Sequence, residues 1–261
     1  MKKTMLAASL LVLGSAPALS ADYSDGDTHK NDHNWMQANL MYAVDELPGE
    51  SSHDYLELEF GGRAGILDYY GYADVFNITG SDSSDKADDE KIFIKFAPRV
   101  SLDGLFQTDL SIGPIQEVYA ATLFNWSGNS NVNNSFWGLG SDVNVPWLGT
   151  VGLNVYGLYD LNQRDWNGYQ VSTNWFKPFY FFDNGSFFSY QGYIDYQVGM
   201  KEELGATASH GGAMFNGLYW HTDHFSLGYG LKAYNNIYGI EDSSSFKSTG
   251  VSHYFSATYK F

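Results

Sequence analysis

The chain has 261 residues, 14 Lys and Arg against 30 Asp and Glu, a formal net charge of -16 and no cysteine. This balance argues against a nucleic-acid-binding protein, because phosphate recognition requires clustered Lys and Arg. Disulfide bonds cannot stabilise the fold, so another device must do so.

Residues 1–20 have the layout of a secretory signal peptide. Lys2 and Lys3 precede an apolar run from Met5 to about Leu13, and small residues follow up to Ala21. The run is too short for the roughly 20 residues of a membrane-spanning helix. We therefore predict a cleaved signal peptide over 1–20 and a mature domain over 21–261. Cleavage removes two lysines and no acidic residue, which changes the net charge from -16 to about -18.

The rest of the chain combines many aromatic residues with polar character. Aromatic residues make up 17% of the sequence, yet no later stretch approaches the length of a spanning helix. A sequence rich in aromatic residues and glycine but polar on average is typical of a transmembrane β-barrel. A closed barrel also leaves no strand edge unpaired, so it needs no disulfide bond.

Apolar and polar residues alternate with a period of two from Trp35 to Phe261, which predicts strands with one face toward lipid and one toward water. The predicted strands, in chain order, lie near 35–44, 55–60, 67–76, 92–101, 116–126, 134–145, 151–156, 168–177, 188–197, 209–220, 225–232 and 251–261. Their even number predicts an all-β fold, a 12-stranded antiparallel up-and-down transmembrane barrel.

The last predicted strand shows the alternation most clearly. One face carries Val251, His253, Phe255, Ala257, Tyr259 and Phe261, and the other carries Ser252, Tyr254, Ser256, Thr258 and Lys260. A terminal phenylalanine that closes such a strand resembles the signal by which bacterial machinery inserts barrel proteins. We therefore expect the outer membrane of a Gram-negative cell as the location.

The connections between predicted strands alternate between two kinds. Long polar loops are predicted at Asp45–Asp54, Thr79–Glu90, Ser127–Asn134, Asp160–Asn167, Glu202–Ser209 and Asn235–Ser248. Shorter turns are predicted at Gly61–Gly65, Asp103–Pro114, Pro146–Thr150, Phe179–Gly185 and His221–His224. A periplasmic or secreted β-sandwich would also show short alternating strands. Strands of about 9 to 11 residues favour the barrel, because that length spans a membrane when tilted.

Several stretches together resemble the Tsx/OmpK family of nucleoside-specific channel-forming outer-membrane proteins, and within it the vibrio-type branch. They are 55–59 (YLELE), 70–74 (YGYAD), 97–103 (APRVSLD), 108–114 (TDLSIGP), 138–142 (GLGSD), 165–169 (DWNGY) and 248–250 (STG). The resemblance implies a monomeric barrel with a narrow nucleoside pore, and members that serve as bacteriophage receptors. The acidic segment 45–50 departs from the family pattern, so the solute itself does not follow from the resemblance.

A nucleoside channel requires aromatic faces for the base and polar groups for the sugar hydroxyls. The water-facing positions provide both, and we predict these pore-lining residues: Tyr55, Glu57, Glu59, Asp68, Tyr70, Tyr72, Asp74, Lys95, Arg99, Glu117, Tyr119 and Asp195. Two alternatives remain open. Glu57, Glu59, Lys95 and Arg99 could form an ion-pair network that only fixes the pore shape, and the barrel could be packed without a pore.

Neither an enzyme nor a metal or other cofactor site is expected. Adjacent pairs such as Ser252 and His253 point to opposite faces of a strand and cannot act as nucleophile and base. The pair His29 and His33 lies in a polar segment without helical periodicity. Expected partners are the lipid bilayer, small polar solutes such as nucleosides, and phage tail proteins at external loops. The alternative function is a surface receptor with little selective transport.

Overall fold

The computed structural model describes residues 23, 25–80, 91–128 and 132–261. Its strands are β1 (His33–Glu46), β2 (Ser51–Ala64), β3 (Leu67–Phe76), β4 (Ile92–Ser101), β5 (Ile115–Ser127), β6 (Asn133–Val145), β7 (Gly149–Asp160), β8 (Asp165–Phe181), β9 (Phe187–Val198), β10 (His210–His221), β11 (Phe225–Asn235) and β12 (Gly250–Lys260). Each strand pairs antiparallel with its sequence neighbours, and β1 pairs with β12. The predicted twelve-stranded closed barrel is confirmed.

Several strands extend beyond their predicted ends. Glu46 pairs with Ser51, so the connection predicted over Asp45–Asp54 shortens to 47–50. Likewise β8 runs over Asp165–Phe181 rather than 168–177. Hydropathy does not mark these ends, because strands that project into water still satisfy their backbone groups by pairing. The predicted signal peptide and most of the predicted loop Thr79–Glu90 lie outside the described residues.

β1 begins and β12 ends at the same end of the barrel. That end carries the connections 65–66, 146–148, 182–186 and 222–224, and the longer connection 102–114. Since bacterial barrels have short periplasmic turns and longer external loops, this end is periplasmic. The connection 102–114 contains the helix α1 (Leu102–Phe106), capped by the Ser101 hydroxyl, which accepts from the Gly104 N–H at 3.0 Å.

Within the described ranges, no helix is long and apolar enough to cross a membrane.

The predicted assignment of the two faces of the last strand holds. On β12 the side chains of Ser252, Tyr254, Ser256, Thr258 and Lys260 are all at most 9% exposed, whereas those of the alternate positions point outward. Outward side chains such as Leu40, Leu139 and Leu227 are more than half exposed, which suits a lipid-facing belt.

Candidate pore lining

The strand register places inward-facing residues of β1, β2, β3 and β4 side by side. Asn39 pairs with Glu57, which pairs with Asp74. The next inward position on each strand gives a second row of Gln37, Glu59, Tyr72 and Lys95. Because inward residues recur every second position, these two rows form one continuous polar wall of the interior.

Two carboxylates of this wall are held by neutral donors. Glu59 accepts from Gln37 Nε2 (2.5 Å), Asn39 Nδ2 (3.0 Å) and the Tyr70 hydroxyl (2.8 Å). Glu57 accepts from Asn39 Nδ2 at 2.6 Å. No Lys or Arg in the described part of the chain lies within ion-pair distance of Glu57 or Glu59. Their carboxylates are therefore fixed in place without a paired cation, which gives this wall an acidic character.

One ion pair crosses the interior. Lys95 Nζ on β4 lies 3.1 Å from Asp195 Oδ2 on β9, and β5, β6, β7 and β8 separate these two strands on one side. The Lys95 ammonium group also lies 5.9 Å from the centre of the Tyr72 ring and 5.8 Å from that of Tyr193. We call this Lys95–Asp195 pair the crossbar, because it joins walls that are not neighbours.

Beside the crossbar, the part of the interior next to β5, β6 and β7 is filled. The apolar cluster of Ala121, Leu123, Phe136, Tyr156 and Leu158 has exposed fractions of 3% or less, and Ala97 packs against it. Asn154 and Gln170 beside it are also buried. Close-packed side chains leave no room for a solute at this cluster.

The other side of the crossbar retains accessible side chains. Those that remain partly exposed there are Gln37, Glu57, Glu59, Tyr70, Tyr72, Gln191, Tyr193, Phe215 and Lys232. The crossbar residues are themselves 18% and 26% exposed. We call the space between these residues the passage. It is bounded by the acidic wall, by aromatic rings and by the crossbar.

Two glycines of β11 allow aromatic rings of the neighbouring strand β10 to lie against β11. A Cβ at Gly230 would lie 2.2 Å from Phe215 Cζ, and one at Gly228 would lie 2.1 Å from Tyr219 Cε1. Glycine at both positions lets these rings lie flat on β11 instead of projecting into the interior. Phe215 in turn stacks on Tyr193, with ring centres 5.8 Å apart.

Glu46 organises the extracellular end of the passage. Its carboxylate accepts from the Tyr254 hydroxyl at 2.8 Å and lies 3.0 Å from His53 Nε2 and 3.7 Å from Lys232 Nζ. The Lys232 ammonium group also sits over the rings of Tyr234 and Tyr254. The Glu46 carboxylate and the Lys232 ammonium group therefore face each other at the extracellular end of the passage.

A buried network fills the interior near the periplasmic end. Arg99 Nε lies 2.7 Å from Asp68 and Nη1 lies 3.1 Å from Asp142, and its guanidinium group covers the Tyr119 ring at 4.0 Å. Arg63 Nη1 donates to Glu117 Oε2 at 2.9 Å. The Tyr23 hydroxyl contacts both Arg63 and Glu117, which fastens the N-terminal segment to this end.

The structure divides the predicted pore-lining residues into groups. Glu57, Glu59, Tyr70, Tyr72, Lys95 and Asp195 border the passage, and Asp74 lies buried in its acidic wall. Tyr55 packs in an apolar cluster with Met41, Ala43 and Tyr254. The remaining four, Asp68, Arg99, Glu117 and Tyr119, belong to the periplasmic network.

The ion pairs in the structure differ from the alternative network of Glu57, Glu59, Lys95 and Arg99 that the sequence allowed. Lys95 and Arg99 do pair with carboxylates, but with Asp195, Asp68 and Asp142 and not with Glu57 or Glu59. Sequence reasoning also missed Lys232, Tyr193 and Phe215 as lining residues. Tyr193 and Lys232 stand at the alternate positions of β9 and β11 that face inward, so the period-two pattern of these strands carries the signal.

A buried Ser–His contact is present without the rest of a catalytic arrangement. Ser189 Oγ lies 2.8 Å from His221 Nε2, and both side chains are buried. His221 Nδ1 has no hydrogen-bond partner among the described residues, so no carboxylate orients the imidazole.

A closed antiparallel barrel with a lipid-facing belt and a polar passage defines a channel-forming protein of the outer membrane. The family model described as "Nucleoside-specific channel-forming protein, Tsx" matches residues 30–261. The chain belongs to this family.

The relatives agree with this assignment. The chain is 66% identical over 267 residues to outer membrane protein OmpK of Vibrio parahaemolyticus serotype O3:K6, with both chains covered completely. It is 32% identical over 220 residues to the nucleoside-specific channel-forming protein Tsx of Klebsiella aerogenes, covering 76% of this chain and 73% of that one. Among solved structures, the NanC porin matches with a TM-score of 0.53 at 7% identity, covering 87% of this chain and 98% of that chain, which supports the fold alone.

Proposed function

We propose that the passage conducts nucleosides and similar small polar solutes by passive diffusion. The observation that carries the proposal is the placement of the Tyr72 and Tyr193 rings beside Lys95, in the same passage as the hydrogen-bonded carboxylate of Glu59. Aromatic rings stack on any base, and carboxylate and amide groups bind ribose hydroxyls. Because one chain closes the barrel, we further propose that the monomer is the conducting unit.

Replacing Tyr72 with leucine is expected to reduce adenosine influx at low concentration to roughly one tenth, because a base–aromatic stack contributes about 1–3 kcal/mol. The measurement is uptake of radiolabelled adenosine into liposomes that contain the purified protein. Tyr69→Leu is the matched control, since Tyr69 lies on the same strand but faces outward. Glycerol influx should stay unchanged in both variants.

The proposal fails if the purified, folded protein gives no conductance in planar bilayers and no adenosine influx into liposomes. Equal influx of adenosine through the wild-type and Tyr72→Leu barrels would leave a general diffusion channel without base recognition.

A second candidate function is a surface receptor for bacteriophages, favoured by an ordered layer of external connections. The N–H of Gly49 donates to the Lys247 carbonyl at 2.8 Å, and the N–H groups of Thr207 and Ala208 donate to the Gly239 carbonyl at 2.8 Å. The connections 47–50, 199–209 and 236–249 are thereby joined. Phe246 on this layer is 45% exposed. A fixed surface with an exposed aromatic side chain is suited to binding a protein partner.

Asp242 anchors this layer and provides a test. Its Oδ1 accepts from the N–H groups of Ser248 (2.8 Å) and Thr249 (2.9 Å), and these bonds lower the pKa of the Asp242 carboxyl. Because the folded pKa is depressed, the stabilisation is present at neutral pH and is lost only as the pH falls below the ordinary carboxyl range.

Asp242→Ala is therefore expected to speed tryptic cleavage after Lys247 on intact cells and to reduce adsorption of phages isolated on cells expressing this protein. Adenosine influx should not change. Asp183→Ala, in the periplasmic connection 182–186, is the control. Full adsorption of every such phage, both to the Asp242→Ala barrel and after deletion of residues 79–90, would contradict a receptor role for this surface.

A further inference from the structure

The cationic residues on the described strands differ in the direction they face. Arg63, Lys95, Arg99 and Lys232 point inward and pair with carboxylates. Lys260 also points inward and donates to the Thr222 carbonyl at 2.6 Å. Lys177 on β8 is the exception. It pairs in register with Tyr190, and its neighbour Phe176 faces inward against Phe187 and His221, so Lys177 points toward lipid.

Lys177 borders an apolar groove on the outer surface near the periplasmic end, which we call the trough. The trough has a volume of about 630 Å³ and is lined by Val145, Pro146, Trp147, Leu148, Phe179 and Tyr190. Trp147 lies in the periplasmic connection 146–148 and is 90% exposed. A tryptophan in this position is typical of the headgroup level of a membrane, where the aromatic ring anchors at the interface.

Within the part of the chain that the structure describes, the Lys177 ammonium group has no hydrogen-bond or ion-pair partner. The Tyr190 hydroxyl beside it donates to Asn216 Oδ1 at 2.5 Å. A lysine on a lipid-facing surface is costly unless its flexible stem carries the ammonium group to the interface, where phosphate is the abundant anion.

We propose that this trough binds one anionic glycerophospholipid of the inner leaflet, with its phosphate on Lys177 and an acyl chain along the apolar lining. The charge pattern supports an anionic lipid. Because the whole chain carries a formal net charge of -16, its long-range field repels anionic lipids. A preference for them must therefore come from a local cation, and Lys177 is the cation that faces lipid on the described strands.

The test uses the folded protein in a neutral detergent, titrated with phosphatidylglycerol or phosphatidylcholine. Native mass spectrometry counts the lipids that each barrel retains. We expect one phosphatidylglycerol per wild-type barrel, bound about five-fold more tightly than by K177Q. K177R should retain the site. K247Q is the matched control, because it removes the same charge from the external connection 236–249.

Equal retention of phosphatidylglycerol and phosphatidylcholine by the wild-type barrel would overturn the proposal without any variant. Equal affinity of wild type and K177Q for phosphatidylglycerol would also overturn it, provided that the heat-modifiable electrophoretic mobility of K177Q shows a folded barrel. Adenosine influx should be the same in both, so failure of this site is distinguishable from failure of the channel function.

Discussion

Replacing Lys95 and Asp195 together with alanine is expected to raise the single-channel conductance roughly two-fold, because the crossbar would no longer narrow the water-filled cross-section. The Lys95 and Asp195 side chains meet at 3.1 Å from strands that are not neighbours. The double replacement removes one charge of each sign, so ion selectivity should change little. The measurement is conductance in planar bilayers in molar KCl, with the reversal potential under a salt gradient.

Single variants separate the width of the passage from its charge. Lys95→Met keeps the length of the side chain but loses the ion pair, and it leaves Asp195 uncompensated beside the acidic wall. We expect a smaller rise in conductance and a shift toward cation selectivity. Asn154→Ala, at a buried position beside the apolar cluster of β5, β6 and β7, should leave conductance unchanged. If the double variant conducts like the wild type, the crossbar does not limit the pore.

Glu117→Ala is expected to lower the free energy of unfolding by about 3–5 kcal/mol, because it leaves the Arg63 guanidinium group buried without its carboxylate partner. Glu117 is 1% exposed and Arg63 is 7% exposed. The free energy is obtained from urea unfolding in lipid vesicles, followed by the fraction of folded protein on a gel.

Two further variants serve as controls for the buried pair. Arg63→Met combined with Glu117→Leu should recover most of the loss, because apolar residues of similar volume carry no desolvation penalty. Lys201→Met removes one partner of the exposed Lys201–Asp165 pair, whose side chains are 36% and 53% exposed, and should cost less than about 1 kcal/mol. Similar losses for Glu117→Ala and Lys201→Met would mean that the buried pair is not a major source of stability.

Alternation, together with composition and strand length, was sufficient to predict the barrel and the faces of a clearly alternating strand such as β12, because a period of two is a local property of each strand. It could not predict which residues meet across the interior. Lys95 reaches Asp195 because of the strand number, tilt and stagger of the barrel, which no single strand encodes. Lys95 and Arg99 are two inward positions of β4, yet one borders the passage and the other lies in the periplasmic network.

The apolar cluster inside the barrel could not be predicted from the sequence, for a different reason. Leu123, Phe136 and Leu158 face inward, although apolar residues of a membrane barrel are expected to face lipid. Such residues weaken the contrast between the two faces of β5, β6 and β7. The same weak contrast conceals the packed cluster that these residues form inside the barrel.

The seam between the first and last strands has a consequence for biogenesis. Asn39 on β1 donates to Glu57 and Glu59, while its own side-chain oxygen accepts from the Thr258 hydroxyl on β12 at 2.7 Å. The acidic wall is therefore held partly from the C-terminal strand, which is the last to be synthesised. A barrel that has not yet closed lacks this support, so the hydrogen bonds that hold the acidic wall are complete only when β12 has paired with β1.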